Sequence, residues 1–121
     1  MLKSFQELDA WKKAHRLALA VYTLTRDFPR EERFALVSQL RRAAASVGAN
    51  IAEGFGRRST KDFLRYLEIA SGSLEETRHF LILSQDLAYL NGKQYPPLNA
   101  ACDEVGRLLG GLARSLRKRL R

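Results

Sequence analysis

The sequence predicts an all-α protein, an antiparallel up-down four-helix bundle, and three observations carry that expectation. Apolar residues recur at three- and four-residue steps through four long segments, the period that gathers them on one helix face at about 100° per residue. Proline is rare, three in 121 residues, and falls between those segments or at the start of one. The rest is rich in Leu, Ala, Arg and Glu, 45% hydrophobic and 28% charged, a mix that favours helix over sheet. A chain of this length forms a single domain, 1–121, with core enough to need neither disulfides nor metal.

The first residues, Met1 to Glu7, read as a short extended arm whose Phe5 can pack back on the bundle. Helix one is expected over 8–27, with Leu8, Trp11, Ala18, Val21, Tyr22 and Thr25 on its apolar side, and Phe28-Pro29 ends it because proline restricts the residue before it. Helix two is expected over 32–55, with Glu31 and Glu32 near its positive end. Its face of Leu36, Leu40, Ala43, Val47 and Ile51 is a core stripe. A second face is small, Ala45, Gly48, Ala49 and Ala52, and a third stacks Gln39, Arg42, Ser46, Asn50, Glu53 and Arg57. So little of this helix suits bulk water that it reads as the central helix and a candidate subunit contact.

Ser59 and Asp62 have the spacing of an N-cap with an acidic third residue, which starts helix three, expected over 60–90. Phe63, Leu67, Ala70, Leu74, Thr77 and Leu81 form its main stripe, widened by Tyr66, Ile69, Phe80 and Leu87 beyond what a solitary bundle buries. Asn91-Gly92 reads as its stop. Proline in a first turn then introduces helix four, expected over 97–120, with Leu98, Cys102, Val105, Leu109, Leu112, Leu116 and Leu120 inward. Gly106 and Gly110 beside that stripe each cost on the order of 1 kcal/mol against alanine, which a close helix crossing would explain.

The formal net charge is +8, from 21 Lys and Arg against 13 Asp and Glu. Six basic residues and no acid follow Val105: Arg107, Arg114, Arg117, Lys118, Arg119 and Arg121. Such an excess favours polyanions, nucleic acid first and acidic protein surfaces second. A lone cysteine cannot form an internal disulfide, and neither a signal-like run nor an apolar stretch of spanning length is read. The expectation is a cytoplasmic protein with no membrane contact.

Three blocks, LDAWKKAHRLALAVY, FPREERFALVSQLRRAAASVGANIAEGFGRRS and FLRYLEIASGSLEE, resemble the family of small bacterial four-helix-bundle proteins encoded by intervening sequences in 23S ribosomal RNA genes. The ending VGRLLGGLARSL is similar to that family and to its relatives, the accessory proteins of diversity-generating retroelements. Gly48 and Ser71 depart from the commonly prolyl and basic residues at their positions. The resemblance implies a left-handed bundle assembled as a homo-oligomeric ring, a homopentamer, with a basic surface and no established catalysis. In the retroelement branch the partners are a reverse transcriptase and nucleic acid.

Two candidate sites follow. Arg107, Arg114, Arg117, Lys118, Arg119 and Arg121, with Arg57 and Arg58 at the turn after helix two, are expected to contact RNA or DNA phosphates; the alternative is a solvated basic face on a protein-protein adaptor. Arg42, Ser46, Asn50, Glu53 and Arg57 are expected to form a polar network that fixes helix register or a subunit interface, rather than an anion site. No catalytic set, cofactor or metal is expected: His15 and His79 are isolated, and Ser46, Ser71 and Ser73 have no base at a nucleophile's spacing.

Overall fold

In a computed structural model, which describes residues 2–120, four helices form a bundle, and no strand occurs among the described residues. They are α1 (Asp9–Thr25), α2 (Leu36–Phe55), α3 (Thr60–Asp86) and α4 (Tyr95–Lys118), with single 3-10 turns at Phe5–Glu7 and Arg30–Glu32. The N-terminal segment is not the extended arm expected. Ser4 Oγ accepts from Gln6 N at 3.1 Å and closes the 3-10 turn, which sets Phe5 edge-on to Trp11 at 5.2 Å.

Helix α2 begins later than residue 32. Pro29 is extended (ψ 139°), the chain then makes the 3-10 turn that holds Glu31 and Glu32, and Ala35 (φ −121°, ψ −101°) breaks the run before α2 proper. The break lets Leu36 and Val37 both turn into the core. From there α2 runs unbroken through Gly48, whose face lies under Trp11; a Cβ there would meet the indole at 3.5 Å. The core is a continuous cluster drawn from all four helices, with Leu17, Leu40, Ile51, Leu67, Leu81, Val105 and Leu116 among its buried members.

α2 and α3 make the largest interface. Gly54 near the end of α2 meets the start of α3 so closely that a Cβ would stand 2.8 Å from both Phe63 Cδ1 and Tyr66 Cβ. Two turns back, Ser46 Oγ bonds Ser73 Oγ at 2.9 Å. Ser59 caps α3 as expected, its Oγ accepting from Asp62 N at 3.0 Å.

α3 ends at Asp86, short of residue 90, about 40 Å after it starts at 1.5 Å per residue. Tyr89 N donates to Ser84 O and Ala88 N to Gln85 O, both at 2.9 Å, with Ala88 in the left-handed region at φ 64°. This is a Schellman ending with alanine where glycine is usual. Asn91 does not stop α3; its Oδ1 accepts from Lys93 N and Gln94 N, while Gln94 Oε1 accepts from Asn91 N, each at 2.9 Å. That reciprocal box leads into α4. Gly106 and Gly110 do not mark a backbone crossing either: the space beside Gly106 is filled by Arg78 and Leu74 side chains, and that beside Gly110 by Arg114 of the same helix.

Two stability outcomes follow. Gly54→Ala is expected to destabilise by about 1–2 kcal/mol, overpacking outweighing the helical gain, whereas Gly48→Ala, which meets only ordinary contacts, is expected to stabilise slightly; urea unfolding compares them. Ala88→Gly relieves a left-handed alanine that costs roughly 1–2 kcal/mol, against a glycine entropy loss of about 0.5–1 kcal/mol. Its expected net stabilisation of about 0.5–1 kcal/mol is read from the same unfolding curves.

Candidate nucleic-acid interface

The last helix is strongly two-sided because its leucines fall on one stripe and its cations on another. Leu98, Cys102, Val105, Leu109 and Leu116 are buried, while Arg107, Arg114, Arg117, Lys118 and Arg119 are exposed. At 100° per residue Arg107, Arg114 and Lys118 share one face, Arg117 lies to its side and Arg119 on the opposite flank. Arg117 and Lys118 also complement the negative end of the helix. None of the five forms an ion pair with a described carboxylate. Arg121 lies outside the described residues.

The missing side chains at Gly110 and Gly111 decide where Arg114 goes. Its guanidinium folds back along the helix, with Nη1 3.4 Å from where a Gly110 Cβ would be and Nη2 3.9 Å from the Gly111 equivalent. Arg114 and Arg117 thereby line a shallow groove of about 170 Å³ that also holds Glu68 and Ser71 of α3. Arg119 borders a separate, apolar cavity of about 500 Å³ with Leu8, Phe55 and Phe63. That cavity brings α4's basic end beside the α2–α3 turn that carries Arg57 and Arg58.

Those two arginines differ. Arg57 Nη2 donates to Glu53 Oε2 and to Tyr66 OH, both at 2.7 Å, and its guanidinium lies 4.8 Å over the Tyr66 ring, which Arg65 covers at 5.0 Å. It is held inside the protomer, though an exposed pair of this kind contributes little stability. Arg58 is exposed, with no such partner.

The polar stripe of α2 separates into pieces. Asn50 Nδ2 donates to Ser46 O at 2.8 Å and to Ser46 Oγ at 2.9 Å, and Ser46 reaches Ser73 of α3, whose carbonyl accepts from Thr77 Oγ1 at 2.8 Å. Glu53 and Arg57 form the second piece. Arg42 joins neither; its one contact is a long 3.5 Å bond to Gln39 on the same exposed face.

Sequence reasoning missed Arg78, the strongest tie between α3 and α4. Its Nη1 donates to Asp103 Oδ1 at 2.7 Å and its Nη2 to Cys102 O at 3.2 Å; its Nε stands 3.2 Å from Glu75 Oε1 but makes no hydrogen bond. Burial works against the charge, but the Asp103 hydrogen bond and the nearby acids outweigh it and hold the guanidinium more basic than usual. Gly106 in the leucine stripe signalled space, not what fills it.

Of the remaining reactive groups Cys102 is buried, while His15 and His79 are exposed and lie against aromatic rings. Burial pushes the Cys102 thiol up to about 11. His15 stacks on Trp11 at 4.7 Å and His79 sits edge-on to Phe80 at 5.1 Å. Among the described residues no three His, Cys, Asp or Glu side chains are placed to hold a metal ion, and no helix is long and apolar enough to cross a membrane.

Comparison with known proteins places this arrangement in a family. A solved protein of unknown function from the S23 ribosomal protein family of Bacteroides thetaiotaomicron shares 28% identity, covering 87% of this chain and 95% of its own, with a TM-score of 0.80. No curated protein matches the sequence significantly. The profile of the 23S rRNA-intervening sequence proteins matches residues 6–111, most of the bundle. The chain belongs to the 23S rRNA-intervening sequence protein family.

Proposed function

We propose that the chain is a non-enzymatic, antiparallel up-down bundle that assembles with copies of itself as a ring in the cytoplasm and binds nucleic acid, or a nucleoprotein, through phosphate contacts on α4. The observation that carries the reading is the set of five exposed cations, Arg107, Arg114, Arg117, Lys118 and Arg119, with no described carboxylate in an ion pair with any of them. Unpaired guanidinium and ammonium groups, with Arg107, Arg114 and Lys118 on one face and Arg117 and Arg119 flanking it, suit a phosphate backbone, whose binding is salt-sensitive and largely indifferent to sequence. Arg58 extends the surface at the adjoining turn, while Arg57 is committed to Glu53 and Tyr66.

Pairs across the bundle support the antiparallel order: Trp11 with Gly48, Gly54 with Phe63, Ser46 with Ser73, and Arg78 with Asp103. Apolar side chains left open on one protomer support self-association. Ile69, Ile82 and Leu83 on α3 and Leu87 just after it are exposed, as are Leu19 and Tyr22 on α1 beside Ala45 and Ala49 of α2. Light scattering is expected to give a multiple of the 13.7 kDa chain mass at micromolar concentration; a monomer would overturn the ring.

Nucleic-acid binding is tested by anisotropy with single-stranded RNA and duplex DNA over a salt series. Each phosphate contact contributes a slope of roughly 0.7 for single strands or 0.9 for duplex in log K against log salt. Arg114→Gln with Lys118→Gln is therefore expected to flatten the slope by about 1.4–1.8; equal binding and equal slopes would overturn the assignment. One observation favours a second reading, an adaptor for a protein such as a reverse transcriptase: Glu68 shares the Arg114 and Arg117 groove, as a partner's carboxylate would. A partner that stays bound after nuclease treatment, with no salt-dependent RNA or DNA affinity, selects that reading.

A further inference from the structure

A second basic surface lies far from the basic end of α4. Leu8, beside Arg119, and Thr25 mark the two ends of α1, about 25 Å apart at 1.5 Å per residue. At the Thr25 end the turn into α2 encloses a cavity of about 300 Å³, lined by Thr25, Phe28, Val37 and four arginines, Arg26, Arg30, Arg33 and Arg41. The volume is at the small end of the roughly 300–1,000 Å³ of ligand sites. No carboxylate lines it, and none of the four guanidiniums forms an ion pair with a described acid. The nearby Glu32 is turned away, its Oε2 accepting from Tyr89 OH at 2.8 Å.

The cavity is framed by packed groups. Arg41 Nε donates to Thr25 Oγ1 at 2.8 Å and its Nη2 to Tyr22 O at 3.2 Å, with the guanidinium 4.7 Å over the Tyr22 ring. Thr25 is itself fixed by donating to Val21 O at 2.7 Å. Half-buried Arg41 is thus held in place while Nη1 keeps its donors. Val37 brings the first turn of α2, which has no side-chain cap, to the same cavity. Like charges gathered without a counter-charge repel one another, and a multivalent anion relieves that repulsion while offering oxygens to the planar guanidinium donors.

Beside the cavity stands Phe34, 90% exposed and the most open large apolar side chain described. Arg33, which lines the cavity, has its guanidinium carbon 5.8 Å from the centre of the Phe34 ring. An aromatic face next to a cationic cavity matches a base joined to its phosphate.

We propose that this cavity binds the phosphate of a nucleotide, free or at the end of a strand, with Arg30 and Arg33 closing on the phosphate, Arg41 as the fixed donor and Phe34 offering its ring to the base. The assignment is independent of the α4 surface. Isothermal titration of the full chain at low salt with pyrophosphate, AMP, adenosine and a dinucleotide with or without a 5′-phosphate tests it. Pyrophosphate and AMP are expected to bind well above adenosine. Arg30→Gln with Arg33→Gln, both exposed and unpaired, is expected to weaken them at least tenfold with helical circular dichroism retained. Phe34→Ala is expected to weaken AMP roughly tenfold and leave pyrophosphate unchanged, and Lys12→Gln, at an exposed cation outside both basic surfaces, to change neither. A preference for the phosphorylated dinucleotide over AMP identifies a strand end as the source, and the reverse a free nucleotide. Pyrophosphate and AMP binding no better than adenosine, or full affinity in the Arg30 and Arg33 variant, overturns the proposal.

Discussion

The contact on which the other helices depend is the close approach of α2 to α3. It is possible because Gly54 has no side chain to hold Phe63 and Tyr66 away. Close backbones leave little room for water, so polar groups trapped between them need partners. Ser46, Asn50, Ser73 and Thr77 meet that demand among themselves. The result is an interface that fixes both spacing and register, against which α1 and α4 pack from either side.

Much of this was legible because its signals are local. Stripes at helical spacing placed all four helices to within a few residues, and Ser59 with Asp62 marked the start of α3. What the sequence hid depends on backbone states or on distant chain segments. Ala88 takes a left-handed conformation that its side chain does not advertise, so α3 was read too long. Asn91 is a residue type found at helix ends and helix starts alike, and only its bonds to Lys93 and Gln94 decide between them.

The candidate sites were legible in the same uneven way. Cations in α4 stand close together in the chain, and their lack of neighbouring acids can be counted. Arg26, Arg30, Arg33 and Arg41 are scattered over a helix end, a 3-10 turn, a loop and another helix, and only folding brings them round one cavity. The two arginine clusters thus stand toward opposite ends of the bundle, separated by about the length of α1.

Arg78 has a consequence beyond joining two helices. Its guanidinium lies beside Gly106, with Nη2 3.4 Å from where a Cβ would stand, while Asp103 and the Cys102 carbonyl accept its hydrogen bonds. Positions 78, 103 and 106 are therefore physically coupled. A side chain longer than alanine at 106 would have to displace the guanidinium from Asp103, so substitutions at the three positions are not energetically independent.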